Sequence, residues 1–260
     1  METCDAKTPD DLSDEELVRY IVNLFQRIVV HYAIWFAEVK HQLGLEKALA
    51  ALEEATSRGL KIQMARLSKT LGFELKDDLP AALTSLPHET LLALLKSVSI
   101  NWLANDGVWF QAVEFAHGMT DAKRCNDSAW AQFSPFEAST IKRFLGLPAH
   151  PGLEGLKRAL GFRVYANINA QSIIDESPDA FVFRMNDCRV QSARKRKGLD
   201  DYPCKSGGIV EYNYFARAID DRIVTACIGC PPDAHPSEWY CAWRFSLKRS
   251  PSDSAAPLSV

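Results

Sequence analysis

The stretch Asp106-Gly107-Val108-Trp109-Phe110-Gln111-Ala112-Val113 has a counterpart earlier in the chain, Tyr32-Ala33-Ile34-Trp35-Phe36-Ala37-Glu38-Val39. The two Trp-Phe pairs stand 74 positions apart (109 minus 35). The same spacing relates Leu12, Glu15 and Leu17 to Leu86, Glu89 and Leu91. It relates Val39, Gly44 and Ala48 to Val113, Gly118 and Ala122, and Ala55, Leu71 and Gly72 to Ala129, Leu145 and Gly146. A gapless register that matches a Trp-Phe pair and two glycines predicts an internal duplication. The copies run over about 12–73 and 86–147, with Asp77-Asp78-Leu79-Pro80 between them.

Each copy reads as helical. Leu17, Tyr20, Ile21, Leu24 and Ile28 recur at steps of three and four, the apolar face of a helix. Ser13 with Glu16 has the form of a capping box, and Gly44 and Gly118 mark helix ends. The Trp-Phe pairs have two readings, packing between helices or the lining of a ligand cavity. In the second reading the candidate ligand-binding residues are His31, Tyr32 and Trp35 in one copy and Asn105, Asp106 and Trp109 in the other.

Beyond residue 149 the pattern changes. His150-Pro151-Gly152 is a breaker, and Leu153 to Leu160 reads as a short helix. Strands are expected at Phe162–Ile168, by alternation, and at Phe181–Met185, Ile223–Ile228 and Trp239–Leu247. Helices are expected at Arg189–Lys197 and Val210–Ile219. The fold class is therefore α+β: a duplicated all-helical half, 1–149, then a small antiparallel sheet with helices on one face, 150–248. Residues 249–260 read as a disordered tail.

The chain has 260 residues, 47% of them hydrophobic and 24% charged, which excludes a mostly disordered protein. A net charge of −3 lacks the basic excess of a general nucleic-acid binder. The densest apolar run, Ile28 to Ala37, is about ten residues, against roughly 20 for a membrane span. No secretion signal is visible at the start, so a cytoplasmic protein with no membrane partner is expected.

Seven cysteines in such a chain argue against a disulfide framework. Five of them, Cys188, Cys204, Cys227, Cys230 and Cys241, fall in the last third. Cys227-Ile228-Gly229-Cys230 is a C-x-x-C, and the loop Pro231–Glu238 returns the chain to Cys241. Four thiolates, Cys204, Cys227, Cys230 and Cys241, can thus converge as ligands for zinc or, alternatively, an iron–sulfur cluster. Buried apolar thiols, or a reducible Cys227–Cys230 disulfide, are the competing readings. His235 is near enough in sequence to substitute as a ligand. Cys188 precedes a basic segment that includes Arg189 and Arg194. That segment is either a solvated helix face or an environment that favours the thiolate. In the second case Cys188 is a nucleophile, Asp187 and Arg189 assist it, and Arg194 binds a carboxylate.

Three resemblances add to this reading. Pro203-Cys204-Lys205-Ser206-Gly207-Gly208, Cys227-Ile228-Gly229-Cys230 and Cys241-Ala242-Trp243-Arg244-Phe245 resemble the vinyl-reductase type of small-molecule-binding domain. Related sensor domains hold zinc with cysteines from these places, and one of their acidic ligands is replaced here by Cys227, which implies an all-cysteine site. Asp187-Cys188-Arg189, Cys204 and the closing cysteine element are similar to the 2-amino-thiazoline-4-carboxylate hydrolases. Across its length the chain resembles an uncharacterised family of bacterial and archaeal cytosolic proteins. The carrying motifs are Asp106 to Glu114, Cys188 to Leu199 and Cys230 to Pro236. The function expected is a zinc-binding cytosolic protein that takes a small carboxylate-bearing or aromatic ligand. The alternatives are a hydrolase that uses Cys188 and a ligand sensor acting through a protein partner. A homodimer is compatible with all three.

Overall fold

A computed structural model of the chain describes residues 8–196, 198 and 201–248. The expected tail over 249–260 and the isolated Cys4 lie outside the described residues. The chain divides into two compact units after Asp78.

The first unit is a helical hairpin, α1 (Asp14–Leu43) and α2 (Leu45–Leu71). Ser13 caps α1 through the reciprocal box with Glu16: the Ser13 N–H donates to Glu16 Oε2 at 2.9 Å. Gly44 joins the helices at φ +88°, a conformation that only a residue without Cβ adopts without strain. Next to that turn Ala48 is buried, because a small side chain lets the two helices approach.

The second unit begins with the same device. α3 (His88–His117), Gly118 and α4 (Met119–Phe144) repeat the bounds of α1, Gly44 and the start of α2 at the spacing of 74. Gly118 has the same dihedrals as Gly44, φ 88° and ψ 165°. Ala122 is buried as Ala48 is.

The remaining elements of seven residues or more are α5 (Gly152–Leu160), β1 (Ala170–Ser177), β2 (Ala180–Asp187), α6 (Arg189–Arg196), α7 (Lys205–Ile219), β3 (Ile223–Gly229) and β4 (Cys241–Leu247). The four strands form one antiparallel sheet in the order β1-β2-β4-β3. The α+β class holds, with a largely helical first part and a small antiparallel sheet.

The sheet is covered on one face. In β2 and β4, Phe181 pairs with Phe245, Phe183 with Trp243 and Met185 with Cys241. These alternate residues pack with Leu156, Leu160, Phe215 and Ile219 of α5 and α7 into the core. On the other face Val224 and Ile228 stay exposed. Gly208 of α7 lets the helix lie close to the sheet, since a Cβ there would stand 2.5 Å from Trp243 Cζ2.

Two sequence expectations change. No strand forms over Phe162–Ile168: Phe162 is exposed, Arg163 is buried, and Val164–Asn167 is a 3-10 turn. Two carboxylates decide this, because Arg163 donates to Glu137 (2.9 Å) and faces Glu211 (2.7 Å). The first sheet strand begins later, at Ala170. The boundary expected near residue 150 falls inside the second unit. There α4 packs along α7, and Lys142 of α4 donates to the carbonyls of Ala149 and Ile219 at 2.7 and 2.6 Å.

Candidate functional site

A cavity of about 390 Å³ lies in the second unit, lined by residues of α3, α4, α6, α7 and the sheet. Its walls are mainly aromatic, from Phe110, Trp130, Tyr165, Tyr202, Tyr212 and Trp243. Four thiols line it: Cys188, Cys204, Cys230 and Cys241.

The local fold brings these four together from distant sequence positions. Cys241 opens β4 on the covered face, two residues before Trp243. Cys230 follows the end of β3. Cys204 stands at the N-terminus of α7, and the Lys205 N–H donates to the Pro231 carbonyl at 2.8 Å, which sets Cys204 beside Cys230. Cys188 stands at the start of α6. Buried Gln191 of α6 donates to the Tyr202 carbonyl (2.8 Å) and the Cys204 sulfur (3.1 Å), and accepts from the Tyr202 N–H (2.8 Å). One amide therefore fixes α6 against the Cys204 segment.

The neighbouring thiols of Cys204 and Cys241, together with burial, push the Cys230 thiol far above the ordinary thiol range. Burial pushes Cys188 up to about 12, outweighing the backbone N–H groups of Gln191 and Val190 that favour its thiolate. The expectation of an activated Cys188 thiolate is thereby reversed: desolvation outweighs the helix start. Asp187 is exposed and accepts from the Ser192 hydroxyl at 2.5 Å. Arg189 and Arg194 both line the cavity, as does Asp106, whose carboxyl is pushed up by burial.

Cys227 is not among the residues that line the cavity, but it pairs with Trp243 across the sheet, packs against the same core and lies in the electrostatic surroundings of Cys241. Lys205, ion-paired with Asp233 at 2.8 Å, lies in the electrostatic surroundings of Cys227 as well. His235 is also elsewhere, with Nδ1 2.9 Å from the Pro236 carbonyl and Nε2 3.3 Å from Asp201 Oδ2.

Among the described residues, the trio of potential ligand atoms all within 4.8 Å of one another is His150, Asp220 and Asp221. Asp220 is already engaged there, by two Arg222 nitrogens and the Gly152 N–H. The cysteine sulfurs do not form so closed a group. Tetrahedral zinc bonds of about 2.3 Å require sulfurs about 3.8 Å apart, so metal binding would draw them together. The all-sulfur donor set itself suits a soft ion.

The candidate ligand residues divide. His31, Tyr32 and Trp35 line a second space of about 400 Å³, between α1 and α2 of the first unit. Asn105 is exposed, and Trp109 is 69% exposed, so neither joins the cavity of the second unit. Phe110 faces that cavity instead. Core packing does not describe the tryptophans either: Trp35 and Trp109 are both open to solvent, while Phe36 and Phe110 are half-buried.

One feature of the cavity wall escaped sequence reading. Glu211 lines the cavity and is held by Arg163, whose guanidinium also lies over the rings of Trp130, Tyr165, Tyr212 and Phe215 at 4.8 to 5.9 Å. Its members are scattered at 137, 163 and 211, with no motif to join them.

These features define a class of protein: an α+β unit enclosing a small-molecule-sized cavity walled by aromatic rings and thiols. No curated protein matches the chain. The chain does match the family of unknown function DUF6125, at residues 10–89 and 84–247, and it belongs to that family. No helix among the described residues is long and apolar enough to cross a membrane.

Proposed function

We propose that this is a small-molecule-binding protein whose second unit holds a soft metal ion, zinc by preference, at the thiols of the cavity. The observation that carries the reading is the convergence of Cys188, Cys204, Cys230 and Cys241, from four different elements, on one cavity. Thiols that raise one another's pKa are neutral when alone. A divalent cation displaces their protons and is held by the resulting thiolates. An ion with four thiolate ligands is coordinatively closed and acts structurally. It would tie the starts of α6 and α7 to the end of β3 and the start of β4. The aromatic walls suit a planar ligand, and Arg189 and Arg194 suit a carboxylate on it. The resemblance to vinyl-reductase-like domains supports a zinc site in this segment, in a cytosolic setting, but with Cys227 in the place that the cavity gives to Cys188.

The test is metal and acid-labile sulfide content per chain after purification without oxygen. One zinc per chain is the expected result, lost in Cys204→Ser and Cys241→Ser and retained in Cys227→Ser. Cobalt substitution should then give thiolate-to-metal charge-transfer absorption. Iron with sulfide would replace zinc by a cluster. Metal-free protein that also fails to take up zinc or cobalt would refute the assignment.

A further inference from the structure

The internal duplication supplies a comparison for the cavity wall on α3 and α4. At the spacing of 74, Asp106 corresponds to Tyr32, Gln111 to Ala37, Lys123 to Leu49 and Asn126 to Leu52. The first hairpin carries an apolar or aromatic residue at each of these places, so a hairpin of this kind folds without polar side chains there. In the second copy all four line the cavity. Lys123 is paired with Asp127 at 2.9 Å, and Asn126 Oδ1 accepts from the Tyr202 hydroxyl at 3.3 Å. Among the described residues Asp106 has no hydrogen-bond or ion-pair partner. Burial pushes its carboxyl up, with no cation pulling it back.

The surroundings of Asp106 are aromatic and acidic. Its charge acts on Tyr165, Tyr202 and Glu211 and raises the pKa of each. The cation of that network, Arg163, is already shared between Glu137 at 2.9 Å and Glu211 at 2.7 Å. Asp106 therefore adds a negative charge that this part of the wall does not neutralise, beside rings whose faces attract cations. Gly107 follows it inside α3 and also lines the cavity. Glycine within a helix is unfavourable relative to alanine, and Ala33 holds the same place in the first hairpin. A Cβ at Gly107 would meet nothing within 4 Å, so packing inside the protein does not demand the glycine. Bare backbone facing open space, next to an unpaired carboxyl, lets a ligand approach the helix closely.

We propose that Asp106 and Gly107 form a subsite for a protonated nitrogen, an ammonium group carried by an aromatic ligand of the cavity. The ammonium donates to the Asp106 carboxylate, the carbon that bears it lies against Gly107, and the rings of Tyr165 and Tyr202 flank it. This rests on the reading of the cavity as a small-molecule site, and adds a cationic group to the carboxylate that Arg189 and Arg194 suit.

Ligand-observed NMR titration of the full chain with benzylamine, its neutral counterpart benzyl alcohol, and benzoate tests it. Benzylamine should bind about tenfold more tightly than benzyl alcohol. Asp106→Asn should abolish that preference, leave benzyl alcohol unchanged and raise the urea midpoint, since burial disfavours the ionised carboxyl it removes. Gly107→Ala should weaken benzylamine and also raise the urea midpoint of the ligand-free chain. Weaker binding joined to greater stability is something a folding defect would not give. Equal affinity for benzylamine and benzyl alcohol, a preference that survives Asp106→Asn, or wild-type binding by Gly107→Ala would each overturn the proposal. A chain that takes benzoate and ignores benzylamine would overturn this subsite and leave the cavity reading standing. A chain that takes none of the three would overturn both.

Discussion

Replacing Arg163 by leucine should be among the most damaging single changes in the second unit. The guanidinium is 2% exposed and lies between Glu137 at 2.9 Å and Glu211 at 2.7 Å, inside a ring of four aromatic side chains. Glu137 also accepts from the Val164 N–H at 3.2 Å, so the carboxylate holds the turn as well as the cation. Removing the cation leaves two buried carboxylates facing each other. Breaking a buried pair in this way costs about 3–5 kcal/mol, a large part of the roughly 5–15 kcal/mol that keeps a domain folded. The loss should depend on pH. Burial already pushes Glu211 above the usual carboxylate range, while Arg163 pulls it back. Without Arg163 the folded-state pKa rises further above the unfolded value. The folded state then binds more protons than the unfolded one, and stability grows as pH falls. Urea unfolding at pH 7.5 and 5.5 measures both effects. Arg163→Leu should lose about 3–5 kcal/mol at pH 7.5 and visibly less at pH 5.5. Arg163→Leu with Glu137→Gln and Glu211→Gln should recover much of the loss, since neutral amides leave no uncompensated charge. A loss below about 1 kcal/mol at pH 7.5, or one equal at both pH values, would refute the reasoning.

Other expectations follow from the same geometry. Gly208→Ala drives a methyl group into the Trp243 ring. The overpacking, about 1–3 kcal/mol, should outweigh the roughly 1 kcal/mol gain in helix propensity and lower the urea midpoint. Asp220 has a fully buried side chain, and its carboxyl is held well below the usual range, first by hydrogen bonds from Arg222. Its contribution is present above the unfolded carboxylate pKa and lost as pH falls through the lower folded one, so Asp220→Asn should flatten the acid limb of a stability–pH profile. In metal-free protein at pH 8, iodoacetamide should modify exposed Cys125 well before Cys188, whose thiol is held up to about 12; mass mapping that finds Cys188 labelled first would show the reverse environment.

Local chemistry made a good part of this protein readable from its residues. Capping at Ser13 and glycine at 44 and 118 are short-range signals, and the helices begin and end where they say. The strands at 181–185, 223–228 and 239–247 carry their own alternation or apolar runs and appear within a few residues of the expected places. The Phe162–Ile168 segment alternates just as well and forms no strand. Its fate turned on two carboxylates, one 26 residues before Arg163 and one 48 residues after (211 minus 163), and no local pattern reports such partners.

The cysteines divide along the same line. Sequence clustering pointed to a set of neighbouring thiols, and C-x-x-C spacing placed Cys227 and Cys230 in it together. Which thiols face the cavity depends on the register of β3 against β4, the Lys205–Pro231 hydrogen bond and the Gln191 bridge. Those long-range contacts bring Cys188 to the cavity wall, while Cys227 pairs with Trp243 in the sheet and packs against the core beside it. Equally, 74-residue spacing matched Trp35 with Trp109, yet the half-buried partner in each copy is the adjacent phenylalanine. Sequence by itself determined most helical segments, three of the four sheet strands, the repeat spacing and the thiol-rich region, because capping, periodicity and composition act over a few residues. Only the tertiary structure decided the cavity, its four thiols and the buried Arg163 network, because each requires side chains that are close in space and far apart along the chain.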